Sequence, residues 1–428
     1  MDRPLSSAES AFHHARTACA PNIAVAVALD SLPDKAQLMR AALALQARHP
    51  LLRVVVREGP TPHLVTAAAP VPLSVVWERL AAPDAWLARA EQEMERPFAV
   101  GEGPLVRFLV LQGEPISVVL VVCDHLLGDG HVLNVMLDEL FAFAIGRPPS
   151  DGPRAELPSL DALLPRWPGT RTIGRLASLS AALARPAIEA MGSMTAALRA
   201  PPPARLPRVH LSHRTLDVET SRALSERARA EQCTVFGAMA AALFRALGAV
   251  GPSSGSRPIV AAIPVDIRDS LSPPVDRNDL GIYAWAPTHV FSSAGREPFW
   301  VVARQTRDRV TPTKRASALG TASLASHAWA PWMAIPELRQ MAGSAPSVPG
   351  TRVVLSNMGR AHLPTVAEFG LRFGVYSAMV PGQDLVFIPG SFDGQIALTA
   401  TWTDASRLAG HVPEVLANVA RELTTAAR

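Results

Sequence analysis

The stretch VVCDHLLGDGHVL, Val121 to Leu133, decides how the chain is read. Its opening residues close an apolar run that begins at Ile116, the pattern of a strand buried in a core. The run then breaks into Asp124, His125, Gly128, Asp129, Gly130 and His131. A strand end is a rigid mount. Glycines let a chain turn sharply and let a ligand come close to the backbone. An imidazole has an unperturbed pKa of about 6.5, so it exchanges protons near neutral pH. His125 is therefore the candidate general base. Asp129 is placed to brace the loop, by accepting backbone N–H groups or by pairing with an arginine. By spacing alone the same residues also describe an ordinary surface turn. Asp124 and Asp129 fall short of the oxygen shell that a hard cation takes, so no metal site is expected. His131 reads as the start of the next helix.

Working outward, helix and strand patterns alternate. Asp34 to Arg48 places Leu38, Ala41, Ala42 and Leu45 on one helical face. LLRVVV after it reads as a strand, and Ala85 to Glu95 as a helix. Leu105 to Leu111 and Ile116 to Cys123 read as strands, and Val132 to about Ile145 as a helix. Alternation of this kind favours a layered α/β architecture. From Gly146 the chain turns rich in proline and glycine, and a second proline cluster spans Pro201 to Pro207. Between them, Ile173 to Ala200 is helical in propensity, with Arg175, Arg185, Glu189 and Arg199 as its only formal charges. Pro186 is expected to break it in two. Its apolar face reads either as packing across lobes or as cover for a channel. In the second half, Thr220 to Leu247 is helical with a break near Cys233 and Thr234. Pro258 to Pro264 and Thr351 to Leu355 read as strands. Val386 to Ile388 and Gln395 to Trp402 read as a hairpin around PGSFDG, and Pro413 to Ala427 as a closing helix. The division that results is 1–150, a linking 151–207 and 208–428.

Composition narrows the classes. A chain of 428 residues exceeds a single ordinary core and suggests two domains of about 200 residues. With 48% hydrophobic and 18% charged residues, it is globular rather than disordered. A net charge of +4 argues against nucleic acid as the main partner. Cys19, Cys123 and Cys233 are widely spaced and form neither a metal-ligand pattern nor a disulfide framework. The N-terminus shows no apolar signal core, and no run of about 20 uncharged apolar residues suggests a membrane span. The expected location is the cytoplasm.

His125-Leu-Leu-Gly-Asp129-Gly130 resembles the HxxxDG motif of the chloramphenicol acetyltransferase-like superfamily. Other stretches follow in that superfamily's order. PLSSAE at Pro4 to Glu9 and RHPLLR at Arg48 to Arg53 resemble its opening segment and its helix-to-strand turn. PVDIRDSL at Pro264 to Leu271, then DLGIYAW at Asp279 to Trp285, resemble the start of the second lobe's core. VLSNMGR at Val354 to Arg360 resembles a late strand and loop of the alcohol-acylating branch. The likeness spans nearly the whole chain and is nearest to the polyketide-associated acyltransferases.

That resemblance implies two similar lobes in a V with a channel between them and the HxxxDG loop midway along it. His125 would take the proton from an alcohol attacking an acyl thioester. Asp129 would be structural, with Arg268 as its partner, and Gly130 would complete the motif. Ser356 and Asn357 would lie near the channel, or simply cap a strand end. The acyl donor would be acyl-CoA or a chain on an acyl carrier protein, with no cofactor and no metal, and the protein itself would be a monomer. Cys123 would not be a nucleophile. Condensation domains usually carry HHxxxDG, and Asp124 stands at the first of those histidines here. This lowers the case for a peptide-bond-forming enzyme. EFGLRFG, Glu368 to Gly374, is a faint echo of the DFGWG motif of plant relatives and is assigned no role. The competing readings are amide formation and a catalytically silent module that holds an acyl or carrier-bound chain.

Overall fold

The computed structural model describes residues 1–165, 170–196, 205–250, 258–292, 297–314, 319–320, 323, 328, 335 and 350–428. Two sheets organise them, each the floor of one lobe. The first has five strands in the order Leu371–Ala378, Asn22–Leu29, Ser117–Asp124, Val106–Gln112 and Val75–Arg79. All neighbours are antiparallel except the last pair. Asn22–Leu29 and Ser117–Asp124 are buried at every residue, which explains why neither sequence alternates polar with apolar. Helix Lys35–Arg48 packs its predicted face, Leu38, Ala41, Ala42 and Leu45, into this core. Its start is fixed by reciprocal bonds between Asp34 and Gln37.

The second sheet is built on Thr288–Phe291, Ile259–Ala262, Thr351–Leu355, Leu385–Phe392, Gln395–Thr403 and Val209–Leu216, in that order. The short strand Gly359–Arg360 pairs with Leu385–Phe392. Helices Val235–Ala249 and Val412–Ala426 bury their apolar faces against this sheet. The predicted helical region breaks where expected: one helix ends at Ala230 and the next starts at Val235, capped by Thr234. Strand Leu371–Ala378 comes from the second half of the chain yet pairs with Asn22–Leu29. The segment 208–428 therefore supplies an edge strand to the first sheet and ties the lobes together.

Three sequence expectations are corrected. LLRVVV is a strand only from Val54 to Arg57; Pro50–Arg53 is a 3-10 turn, started by a proline that supplies no N–H. The hairpin strand does not stop at Ile388 but runs to Phe392, and only Asp393 and Gly394 form the turn, both with positive φ. Pro389 is tolerated in that strand because it lies where the neighbour changes from Thr351–Leu355 to Gly359–Arg360. Finally, Thr170–Ala196 is one helix with Pro186 inside it. Ala182, whose carbonyl loses its bond, is exposed and water can satisfy it, so the break is avoided. Leu176, Leu179 and Leu183 of this helix face solvent rather than a channel. The last four residues of the predicted stretch, 197–200, lie outside the described residues. Among the described residues no single helix is long and apolar enough to cross a membrane.

Candidate active site

Strand Ser117–Asp124 runs straight into a 3-10 turn, His125–Leu127, at the seam between the lobes. Asp124 makes the turn by accepting the Leu126 N–H at 2.9 Å. The His125 N–H donates to the Pro21 carbonyl at 2.9 Å, so the backbone under the imidazole is pinned on two sides. The His125 ring stacks on Phe12 with centroids 3.8 Å apart and planes at 14°. Its Nδ1 is buried without a hydrogen bond of ordinary geometry, although the His125 and Gly128 carbonyls lie near the ring. That leaves Nε2 as the nitrogen facing the cavity His125 lines. Burial holds the imidazole below its ordinary pKa, and the carboxylates of Asp129 and Asp124 offset this only in part. His125 is thus neutral at pH 7 and free to accept a proton.

Asp129, also in the lining of that cavity, is bonded to Arg268. The guanidinium donates twice, Nη1 to Oδ2 at 3.0 Å and Nη2 to Oδ1 at 3.2 Å. The Tyr283 N–H adds a bond to Oδ2 at 2.9 Å and the His131 N–H one to Oδ1 at 3.1 Å. Burial alone would raise the Asp129 carboxyl; the Arg268 charge and these donors outweigh it and hold it below the usual carboxylate range. Arg268 is 1% exposed and stacks over the Tyr283 ring at 5.0 Å. Asp129, from the first lobe, is thereby anchored to two stretches of the second.

The two glycines of the loop allow close approach. A Cβ at Gly128 would sit 2.9 Å from the Gly281 carbonyl, and one at Gly130 would sit 2.6 Å from Met358 Sδ. The second lobe thus touches the motif directly. Ser356 and Asn357 line the same cavity. The Ser356 N–H bonds the Phe387 carbonyl at 3.0 Å, and the Asn357 side chain accepts the Gly359 N–H at 3.0 Å. Asn357 therefore has a turn-forming role whatever else it contacts.

The cavity measures about 1130 Å³ and runs between the lobes. Phe12, Val135, Leu164, Val265, Trp285 and Val386 contribute apolar wall. From the linking segment it takes Leu160, Asp161 and Leu164. Cys123 lies in the strand behind it, fully buried; burial and the nearby carboxylates of Asp124 and Asp129 push its thiol well above the usual range. Such a thiol is not a nucleophile.

Comparison with known proteins agrees with the two-lobed architecture. Residues 206–369 match the family model for the phthiocerol/phthiodiolone dimycocerosyl transferase C-terminus. The structure is similar to polyketide synthase associated protein 5 from Mycobacterium tuberculosis, with a TM-score of 0.63 and 16% identity over 99% of this chain and 98% of that one. It is similar to the trichothecene 15-O-acetyltransferase TRI3 from Fusarium sporotrichioides, with a TM-score of 0.69 and 14% identity over 100% and 95% of the chains. It is similar to the first condensation domain of the CDA synthetase, with a TM-score of 0.67 and 15% identity over 100% and 96%. No curated protein matches the chain by sequence. The chain has the chloramphenicol acetyltransferase-like fold of the condensation domains.

Within that chloramphenicol acetyltransferase-like fold, sequence reasoning brought His125, Asp129, Gly130, Arg268, Ser356 and Asn357 to one place. It missed the support around them. Asp124 is fully buried and pairs with Arg16, which follows helix Ser7–Ala15. Phe12 comes from the same helix. Nothing in the spacing of Phe12 and Arg16 marks them, because their partners lie more than a hundred residues along the chain. RHPLLR also gains a physical role: Arg48 and His49 hold buried Glu139, at 3.0 and 2.7 Å, on the helix that starts at His131.

Proposed function

We propose that this protein is an acyltransferase that moves an acyl group from a thioester, acyl-CoA or an acyl carrier protein, onto an alcohol. The observation that carries the reading is the placement of a buried imidazole, stacked on Phe12, in the lining of a cavity of about 1130 Å³ between the two lobes. In the step envisaged, the alcohol oxygen attacks the thioester carbonyl while His125 Nε2 removes its proton. The tetrahedral centre then collapses, the carbon–sulfur bond breaks, and the thiolate takes the proton back from His125. Asp129 and Arg268 hold the loop and touch no reacting atom. No metal or further cofactor enters this chemistry. The largely apolar wall suits an acyl chain, since each CH₂ removed from water contributes about 0.8 kcal/mol.

The test is turnover. The purified protein is incubated with acyl-CoAs of graded length and a panel of alcohols, and products are read by mass spectrometry. Ester that disappears in a folded His125→Ala variant supports the reading. Ester formed equally by the variant removes His125 as the base, and amide formed from amines in preference to alcohols redirects the acceptor class.

A further inference from the structure

Helix His131–Ala144 begins immediately after the motif loop and lays one face along the channel: His131, Asn134, Val135, Asp138 and Glu139 all line it, the spacing of one helical stripe. Most of the polar groups on that stripe are engaged within the protein. His131 Nε2 meets the Arg277 carbonyl at 2.9 Å. Asp138 accepts from Thr365 and Val366, and Glu139 is held by Arg48 and His49. Asn134 differs. Its side-chain oxygen accepts the Tyr376 O–H at 2.6 Å, and no acceptor among the described residues takes its Nδ2. Asn134 is nevertheless only 6% exposed, and its Nδ2 is not sealed from the cavity, since it is absent from the buried atoms that lack partners.

Tyr376 fixes which end of the amide faces the channel. It is itself 2% exposed, on the crossing strand Leu371–Ala378. Burial pushes its phenol well above the ordinary tyrosine range, with the bond to Asn134 opposing, so it stays protonated and donates. A donor at the oxygen end turns the two N–H groups of Nδ2 toward the cavity. With no acceptor among the described residues and an open face on the cavity, Nδ2 is free to donate to an incoming oxygen. Asn134 follows Gly130 by one helical turn, about 6 Å of rise, so these donors share the stretch of channel onto which His125 opens.

We propose that Asn134 Nδ2 binds the carbonyl oxygen of the acyl donor and stabilises the negative charge that develops there, with Tyr376 as the positioning residue. This rests on the acyl-transfer reading above. The alcohol gives its proton to His125, the carbonyl oxygen gains the charge, and Asn134 donates to it in a dry site where such a bond is strongest.

The deciding variant is Asn134→Asp, which keeps an oxygen for Tyr376 and removes both donors. Turnover of the acyl-CoA and alcohol pair found active with the wild-type chain is expected to fall about 10²–10³-fold in kcat, with a much smaller change in KM and little change in Tm. Tyr376→Phe, which releases the amide to rotate, is expected to lose less of kcat. As a second arm, the wild-type chain should bind a ketone analogue of the acyl-CoA, in which CH₂ replaces sulfur, more tightly than the thioether analogue that lacks the carbonyl. Asn134→Asp should erase that preference. Unchanged kcat in Asn134→Asp overturns the inference, as does a preference for the ketone that survives the substitution. If His125→Ala is inactive while Asn134→Asp is not, the acyltransferase reading stands and this one falls. If the wild-type chain forms no ester, both fall. Should Asn134→Asp fail to fold, Asn134→Ser, which retains one donor, is expected to keep an intermediate kcat, and a wild-type kcat there is equally decisive against the role.

Discussion

Arg268 of the second lobe holds Asp129 of the first in a two-pronged grip, with Nη1 3.0 Å from Oδ2 and Nη2 3.2 Å from Oδ1, and both side chains are buried. A buried ion pair is weak as a source of net stability but costly to break. Asp129→Ala leaves a guanidinium in the core facing only Asp266 and the Gly281 carbonyl. The expected loss is about 3–5 kcal/mol of unfolding free energy, read by chemical denaturation, together with most of the activity. Asp129→Asn, which keeps an acceptor, should lose less. An Asp129→Ala protein that melts like the wild type yet has no activity would make Asp129 a participant in the chemistry rather than a brace.

The pH profile follows from the surroundings of His125. Burial depresses its pKa below about 6.5, and the base must be neutral to act. Activity is therefore fully present above the ordinary histidine range and is lost only as pH falls through the depressed folded value. The acid limb of log kcat/KM should lie below pH 6.5, with unit slope. Phe12→Ala opens the stacked face of the ring to water, so the limb should move upward, toward the unperturbed value, and kcat should fall. A limb that stays in place in Phe12→Ala would show that the stack does not dehydrate the base.

Much of this site is legible in the sequence. An apolar strand that stops at His125 and two glycines marks a mount and a turn. Asp129 reads as a brace for the loop, and the resemblance to the HxxxDG superfamily implies Arg268 as its partner. What stayed hidden has one physical character: it depends on which distant segments the fold brings together. Strand Leu371–Ala378 gives Tyr376 to the first lobe, and its sequence LRFGVYSA shows nothing of that destination. Phe12 sits on a short N-terminal helix without a telling period, and Arg16 caps its end. Pro186 misled because the rule for proline weighs a lost bond as though it were buried, and here Ala182, whose carbonyl is freed, is exposed.

Asp124 stands where a histidine is usual in condensation domains, and Arg16 explains how the position can hold an acid. The Asp124 carboxylate is 0% exposed and is engaged by Arg16 and the Leu126 N–H. Arg16→Met strands a buried charge and should destabilise the protein by about 3–5 kcal/mol. Adding Asp124→Asn removes that charge while keeping an acceptor for Leu126, and should recover part of the loss. A double-mutant cycle on denaturation midpoints measures the coupling. Additive single effects would mean that Arg16 and Asp124 do not interact in solution.

The loop glycines give the sharpest contrast, because the two would clash with different kinds of neighbour. A Cβ at Gly130 meets Met358 Sδ at 2.6 Å and Cε at 2.9 Å, the far end of an unbranched side chain that can swing aside. A Cβ at Gly128 meets the Gly281 carbonyl at 2.9 Å and the Val132 side chain, a backbone atom and a β-branched residue with little freedom. The same Gly281 carbonyl accepts the Asp129 N–H at 3.2 Å. Moving it therefore pulls on the contact by which the lobes meet. Gly128→Ala is expected to cost about 1–3 kcal/mol, the usual penalty for overpacking, and to lower kcat by displacing His125 from its pinned backbone. Gly130→Ala is expected to leave Tm nearly unchanged and instead to push the Met358 thioether into the channel, so that longer acyl chains suffer more than short ones. Pairing Gly130→Ala with Met358→Ala should restore the wild-type acyl-length profile. If Gly130→Ala destabilises as strongly as Gly128→Ala, or if the double variant keeps the altered profile, Met358 is not the neighbour that gives way.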